Sequence, residues 1–109
     1  MYDFIRGTIA ERSGTSVIVD AAGVGYELLA PLGASFPPPG EDARVWAHLV
    51  VREDAQTLYG FGRREQRELF RVLLKVRGVG PSMGLGILSG LAPEEIAAAV
   101  TAEDIGAFT

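Results

Sequence analysis

The chain contains no cysteine and only one histidine among its 109 residues. Without cysteine there can be no disulfide bond and no thiolate metal site, and the composition fits a reducing compartment. No apolar run approaches the roughly 20 residues that a transmembrane helix requires. Asp3 and Arg6 stand where a signal peptide would carry its apolar stretch. These absences predict a soluble cytoplasmic protein that does not associate with membranes.

A net positive charge is also lacking. The formal net charge is −4, which by itself argues against nucleic-acid binding because contacts with phosphate require cations. The distribution is uneven, however, since residues 63–82 carry six basic side chains against Glu65 and Glu68, a local charge of +4 that leaves −8 on the remainder. A basic segment of this kind indicates either a nucleic-acid face or the solvated face of a charged helix.

The pattern of residues 1–62 is typical of β structure. Short stretches of alternating apolar and polar residues are separated by turn signals such as Ser13-Gly14 and Ala22-Gly23. The proline-rich segment Pro31–Gly40 predicts a connection, with room for a short helical turn. Five short strands favour the oligonucleotide-binding (OB) barrel, which has five strands. The predicted strands are Phe4–Ala10, Ser16–Ala21, Val24–Ala30, Ala43–Val51 and Thr57–Phe61.

From residue 63 onward the periodicity is helical. Apolar residues recur at the spacing of one helix face, at Leu69, Val72, Leu73 and Val76. The pattern predicts helices at 64–76, 82–89 and 93–100, and Thr101 with Asp104 marks the start of a fourth. We therefore predict an α+β fold with an OB barrel domain (1–62) and a helical domain (63–109). Because the fourth helix would begin so close to Thr109, we expect a longer parent protein.

A glycine-rich segment, Gly78-Val79-Gly80-Pro81, joins the first two predicted helices and is followed by Ser82 and Met83. Glycine allows a tight turn, and proline presets the first turn of the next helix. The free N–H groups of that turn can hold a phosphate without reading sequence, which is helix-hairpin-helix chemistry. Lys75 and Arg77 add positive charge nearby. A plain helix–helix connection explains the same residues equally well.

Two adjacent carboxylates, Glu53 and Asp54, fall at the tip of the predicted hairpin between the last two strands. Paired carboxylates can act as acid/base catalysts or metal ligands, but neighbours on a strand point to opposite faces and no histidine or third acid is close in sequence. By themselves they are best explained as a solvated turn. We find no nucleophile–base set and no cofactor or metal motif, and expect no enzymatic activity.

The remaining aromatic residues and the histidine have structural explanations. His48 lies in a strand pattern and is expected to be structural, and Trp46 is expected to lie in the core. A base-stacking platform on an OB barrel is one interpretation of the other three, although core packing explains them better. These three are Tyr26, Tyr59 and Phe61.

Taken together, these motifs resemble those of the RuvA family, whose members bind four-way Holliday junctions. The resemblance covers essentially all 109 residues, and the motifs occur in the family's order and spacing. The set is specific, whereas the isolated GVGP is not. The residues that carry it are Arg6-Gly7 with Ile9, Gly23–Glu27 (GVGYE), Val50–Gln56 (VVREDAQ), Leu58–Phe61 (LYGF), Gly78–Pro81 (GVGP) and Ile87–Gly90 (ILSG).

The resemblance implies an OB-fold domain and a helix-hairpin-helix domain in a non-catalytic subunit that binds junctions independently of sequence. It implies a homotetramer, or an octamer of two tetramers, and a RuvB-type hexameric ATPase recruited through a C-terminal domain outside this sequence. A RuvC-type resolvase is a further implied partner. The family's acidic pin maps onto Glu53 and Asp54, which replaces the interpretation as a solvated turn.

One residue departs from the family pattern, and two alternatives stay open. Ser82 stands where relatives often have lysine, which weakens the phosphate site but keeps its backbone donors. Relatives also carry a second hairpin beyond the fourth helix. One alternative is a generic single-stranded-DNA-binding OB protein with an aromatic-lined face. The other is a nuclease that uses Glu53 and Asp54 with magnesium.

Overall fold

A computed structural model describes residues 2–91 together with Glu94 and Glu95. Five strands are followed by two helices in this part of the chain, as the sequence predicts. The strands are β1 (Phe4–Ser13), β2 (Ser16–Ala21), β3 (Val24–Leu29), β4 (Asp42–Val51) and β5 (Gln56–Phe61), and the helices are α1 (Arg64–Leu74) and α2 (Pro81–Ser89). No described helix is long and apolar enough to cross a membrane.

The strands form one closed barrel in the order β1-β2-β3-β5-β4, with β4 returning to β1. All neighbours are antiparallel except β3 and β5, which run parallel and pair at Leu29 and Tyr59. The turn between β2 and β3 consists of Ala22 and Gly23, both at positive φ (54° and 87°), and the Asp20 carboxylate accepts the Gly23 N–H at 2.9 Å. The predicted five-stranded OB barrel is confirmed.

The barrel interior is filled by aliphatic side chains that alternate with outward-facing residues. Gly60 leaves space for this packing, because a Cβ atom there would lie 2.7 Å from Cγ1 of Val45 and 2.9 Å from Cβ of Leu28. The buried residues of this interior cluster are Ile5, Ile9, Val17, Val19, Leu28, Val45 and Ala47.

A second apolar cluster joins the helices to the outer face of the barrel. The ring of Phe70 on α1 lies 5.1 Å from the ring of Tyr59 and 5.0 Å from that of Phe61. Leu69 and Leu88 complete the buried part of the cluster. The apolar stripe predicted from the sequence is therefore wrong in detail, because it omits Phe70, which lies at the centre of the buried cluster. Val76, the last residue of that stripe, lies beyond the helix and is 50% exposed.

Most predicted boundaries are correct to within three residues. β1 extends to Ser13, three residues beyond the prediction, because its ladder with β2 continues past a bulge at Ile9/Glu11 as far as Ser16. α1 ends at Leu74, since the N–H groups of Lys75 and Val76 turn back to carbonyls three residues earlier. Residues 31–40 form turns without helix. The predicted helix 93–100 lies outside the described residues except for Glu94 and Glu95, which are helical, and so does the fourth.

Candidate nucleic-acid interface

The hairpin between α1 and α2 is a short exposed turn. The Val79 N–H donates to the carbonyl of Val76 at 3.1 Å, which tightens the chain as it leaves α1. Gly78 then adopts φ +86°, a left-handed conformation that glycine accepts without strain. Gly80 lies in open space, because a Cβ atom there would meet no atom within 4 Å. The backbone of the hairpin is therefore accessible to a large ligand.

The N-terminal turn of α2 presents unused donors. Pro81 occupies the first helical turn after Gly80, and no side chain caps the helix. The first N–H to close a helical bond is that of Gly84, which donates to the carbonyl of Gly80 at 2.9 Å. The N–H groups of Ser82 and Met83 have no acceptor among the described residues, and both residues are exposed. With no acid in this turn, the site suits an anion.

Packing and one hydroxyl fix α2 in place. A Cβ atom on Gly84 would lie 3.1 Å from Cε1 of Phe70, so the two helices approach closely at this glycine. The Ser89 hydroxyl donates to the carbonyl of Leu85 at 2.7 Å and accepts the N–H of Leu32 at 2.9 Å. These contacts attach the hairpin to the barrel through both helices.

The two cations beside the hairpin face solvent. Lys75 directly follows α1 as its C-cap residue, and Arg77 precedes Gly78. Neither forms an ion pair with any residue that the structure describes. Both are therefore available to add charge near the backbone donors.

The predicted acidic pair lies at the tip of the β4–β5 hairpin. The Arg52 N–H donates to the carbonyl of Ala55 at 2.8 Å and closes the loop. Glu53 and Asp54, between them, are exposed and form no ion pair or hydrogen bond with a described residue. Within residues 2–91, 94 and 95, no group of three or more potential ligands is arranged to hold a metal ion.

The basic segment does not act as a single charged face, because Arg67 points inward. Its side chain is 1% exposed and donates through Nη1 to the Asp3 carboxylate at 2.6 Å and through Nη2 to Glu68 at 2.7 Å. Burial by itself would lower the pKa of Arg67, but the hydrogen bonds to Glu68 and Asp3 outweigh burial and raise it. The hydrogen bond from Arg67 in turn lowers the pKa of Asp3.

His48 is structural, as expected, and it too contacts α1. Its Nδ1 accepts the Nε–H of Arg71 at 3.1 Å, and its ring meets the ring of Phe70 edge-on at 5.7 Å. Burial, followed by the charges of Arg71 and Arg67, lowers the pKa of His48. These contacts were not predicted from the sequence. The spacing of Arg67, Phe70 and Leu74 at i, i+3 and i+7 is the signal that could have revealed the inward face.

The aromatic residues considered as a stacking platform are not available together. Tyr59 and Phe61 are 8% and 0% exposed beneath Phe70. Tyr26 is half-buried against the barrel core. Trp46, expected in the core, instead lies half-buried on the outer face, where the guanidinium of Arg67 is 5.2 Å from its ring centre.

Comparison with known proteins assigns the family. The family model described as the RuvA N terminal domain matches residues 1–60. The chain belongs to the RuvA family. It is 48% identical over 103 residues to the "Holliday junction branch migration complex subunit RuvA" of Shewanella halifaxensis, covering 93% of this chain and 50% of that protein. The proteins of the same name from Alkalilimnicola ehrlichii and Delftia acidovorans are 44% and 45% identical over 107 and 104 residues, which is 96% and 94% of this chain and 51% and 55% of theirs.

The family resemblance inferred from the motifs is thereby confirmed. The RuvA match includes the β4–β5 hairpin with Glu53 and Asp54, whereas the hairpin around Gly78 lies beyond the residues matched by the family model. The chain spans about half the length of the curated RuvA relatives described above.

Proposed function

We propose that this chain binds four-way DNA junctions, independently of sequence and without catalysis, as a scaffold for branch migration in recombination and repair. The observation that carries the proposal is the exposure of two carboxylates, Glu53 and Asp54, without an ion-pair partner among the described residues, at a hairpin tip of a RuvA-family barrel. The relatives are named as subunits of a Holliday junction branch migration complex. An exposed acidic tip disfavours the binding of plain duplex. It favours a DNA form whose phosphates lie away from the tip.

In this proposal, the attraction for DNA phosphate comes from the segment Gly78–Met83. The N–H groups of Ser82 and Met83 donate to a phosphate at the positive end of α2, and Lys75 and Arg77 add charge. Backbone donors that bind phosphate read no bases, so this contact is independent of sequence. The absence of lysine at residue 82 leaves the backbone donors as the main contact.

Repulsion comes from the acidic tip, which is the proposed acidic pin. A carboxylate about 4 Å from a phosphate repels it by about 1 kcal/mol in water and by about 4 kcal/mol at an effective dielectric constant of 20. A continuous duplex would run its backbone over Glu53 and Asp54, whereas an open junction has a gap at its centre. The two carboxylates therefore weaken duplex binding more than junction binding, which produces selectivity.

The proposed assembly is a homotetramer that places four such tips around the crossover, with an octamer of two tetramers as the larger form. A barrel of about 60 residues buries only about 60% of the surface of its unfolded chain, so contacts between subunits would add stability. In the longer relatives' arrangement, a RuvB-type ATPase would bind a further domain, and a RuvC-type resolvase could share the junction. Within this chain we propose residues 1–62 and 63–109 as the two domains. Sedimentation that shows only monomer over a wide concentration range would contradict the tetramer for the 109-residue chain.

The alternative of a generic single-stranded-DNA-binding protein finds less support. Tyr59 and Phe61, two of the three candidate stacking residues, are buried under Phe70. The nuclease alternative requires a third ligand for magnesium beside Glu53 and Asp54, and no such group occurs in the described residues. A cleavage assay with magnesium on junction DNA tests the nuclease directly.

The deciding experiment compares three DNA forms of related sequence at one salt concentration: a four-way junction, a duplex and a single strand. Fluorescence anisotropy with the 109-residue chain should show the tightest binding to the junction. A second junction of scrambled sequence controls for base recognition and should bind equally. Preference for the single strand would replace the proposal with the generic OB-fold function, and equal binding of junction and duplex would contradict it.

A further inference from the structure

The outer surface of β1 and β4 carries an arginine–aromatic face that the proposed function does not use. We define it as Phe4, Arg6, Arg44, Trp46 and Arg64. Phe4 lies directly opposite Trp46 across the two strands, and Arg6 lies opposite Arg44. All four point away from the barrel, because Ile5 and Val45 between them are buried in its core.

Stacked rings and guanidinium groups order this face. Cζ of Arg44 lies 4.4 Å from the centre of the Phe4 ring and 5.8 Å from that of Trp46. Cζ of Arg64, at the start of α1, is 5.9 Å from the Trp46 ring. A guanidinium held by aromatic rings keeps its N–H donors, because the contact uses its charge and its flat side and no acceptor atom. Arg44 is therefore positioned with its hydrogen-bonding capacity unused.

The face carries three arginines, and only Arg64 forms an ion pair with a described acid, at 3.9 Å from Glu68. Arg6 and Arg44 are exposed, and neither forms an ion pair with any part of the chain that the structure describes. Like charges directly opposite each other on neighbouring strands destabilise a sheet, and an anion bound between them would remove that repulsion. Asp42, two residue pairs further along the two strands, accepts a hydrogen bond from Thr8 at 3.1 Å, and Asp3 and Glu68 form ion pairs with Arg67.

The face and the hairpin lie at opposite ends of α1. The helix runs alongside β4, since Arg64 and Arg67 are near Trp46 while Arg71 reaches His48. Its 11 residues make it about 16 Å long, so the two sites are separated by roughly that length. A single phosphate cannot contact both.

We propose that the arginine–aromatic face is a second phosphate-binding site, which contacts the sugar–phosphate backbone of DNA away from the hairpin. The planar fork of arginine fits two phosphate oxygens at once, and two such forks project here from adjacent strands. An acidic surface of another protein is the competing partner. DNA is favoured because Arg6 and Arg44 lie side by side and neither forms an ion pair with a described carboxylate, which leaves both guanidinium groups for phosphate. The inference rests on the proposed function only in taking DNA as the ligand.

The test compares Arg44→Gln with Arg12→Gln. Arg12 is also an exposed arginine of β1 without an ion pair among the described residues, and it lies six residues beyond Arg6, about 20 Å along the strand. Binding of the 109-residue chain to a labelled 25-base-pair duplex and to a four-way junction is measured by anisotropy at several sodium chloride concentrations. Arg44→Gln should weaken binding several-fold and reduce the slope of log K against log salt by about one, while Arg12→Gln leaves the slope unchanged.

Two other outcomes would overturn the inference. Equal effects of the two variants would mean that only net charge matters. An unchanged slope, together with an altered oligomeric state of Arg44→Gln in sedimentation, would assign the face to protein contacts. If Arg44→Gln lowers the melting temperature, Arg6→Gln repeats the test without touching a ring. The proposed function is tested separately, by the preference of the unaltered chain for a junction over duplex. The role of the arginine–aromatic face is tested by the difference in DNA binding between Arg44→Gln and Arg12→Gln.

Discussion

Arg67 and Asp3 are joined across 64 residues of sequence: one guanidinium nitrogen, Nη1, donates both to the Asp3 carboxylate at 2.6 Å and to its backbone carbonyl. The arginine is buried, whereas the aspartate side chain is 64% exposed. The contact therefore fastens the start of α1 to the first residues of the barrel. Arg67 belongs to the basic segment 63–82, which the sequence suggested would face solvent or DNA.

Replacing Arg67 should destabilise the fold without a direct effect on DNA binding. Arg67→Gln removes charge-assisted hydrogen bonds to Asp3 and Glu68, each worth about 1.5–3 kcal/mol where both partners are shielded from water. Because Asp3 and Glu68 are partly exposed, we expect a total loss of only about 1–3 kcal/mol. Urea unfolding checks this value, with exposed Arg63→Gln as the control that should change stability little. A loss no larger than that of the control would contradict the role.

Acidification should weaken the fold in part through His48. Burial, with the charges of Arg71 and Arg67, places the pKa of this imidazole below its usual 6.5. The unfolded chain then takes up a proton at a higher pH than the folded chain, so this contribution to stability is present above pH 6.5 and is lost as pH falls toward the folded pKa. His48→Gln, which keeps an acceptor for Arg71, should reduce the fall in stability between pH 7.5 and 5.5. Parallel curves for the two proteins would show that His48 does not contribute.

The hairpin can be tested with two glycines whose surroundings differ, Gly80 just before α2 and Gly84 within it. Gly80→Val places a side chain in open space and should leave the melting temperature nearly unchanged while it blocks the approach of phosphate and weakens binding to every DNA form. Gly84→Val pushes against Phe70, where a Cβ atom would already lie at 3.1 Å, and should destabilise the helices. Melting curves and DNA titrations of both variants separate the two effects. A folded Gly80→Val chain with unaltered DNA binding would exclude the hairpin as a contact.

The acidic tip is tested by neutralising it. Glu53→Gln with Asp54→Asn should raise affinity for duplex, change junction affinity less, and alter stability by under about 0.5 kcal/mol because both residues are exposed in a turn. The matched control is Glu11→Gln with Glu27→Gln, which removes the same charge from two exposed acids elsewhere on the barrel. Binding of both variants is measured at one salt concentration. Duplex affinity that stays level or falls in the tip variant would disprove repulsion.

The sequence predicted the elements well because their signals are local. Alternation and turn residues located all five strands, and the shift in periodicity near Gly62 located α1. The acidic tip at Glu53 and Asp54 and the hairpin around Gly78 were also placed correctly as exposed turns. Aspartate is disfavoured in strands, and glycine is disfavoured in helices. Long-range partners could not be read in this way. Nothing near Arg67 in sequence indicates Asp3, which becomes its neighbour only when the barrel closes.

The arginine–aromatic face shows the same limit. Phe4 and Trp46 are 42 residues apart, and only the antiparallel register of β1 and β4 places them opposite each other. Alternation could show which residues of each strand share a side, but the register follows from how the whole barrel closes. The sequence alone therefore assigns no role to Arg44.

Phe70 gives the boundary near residue 62 a particular meaning. Its ring, carried by α1, covers Tyr59 and Phe61, which belong to the last strand of the barrel. Severing the chain after Gly62 would leave two large aromatic side chains open to water on an otherwise intact barrel, and such a patch promotes aggregation. Helix α1 thus covers an apolar part of the barrel surface. We therefore expect the barrel cut after Gly62 to aggregate more readily than the whole chain, although the described helices contribute nothing to its strands.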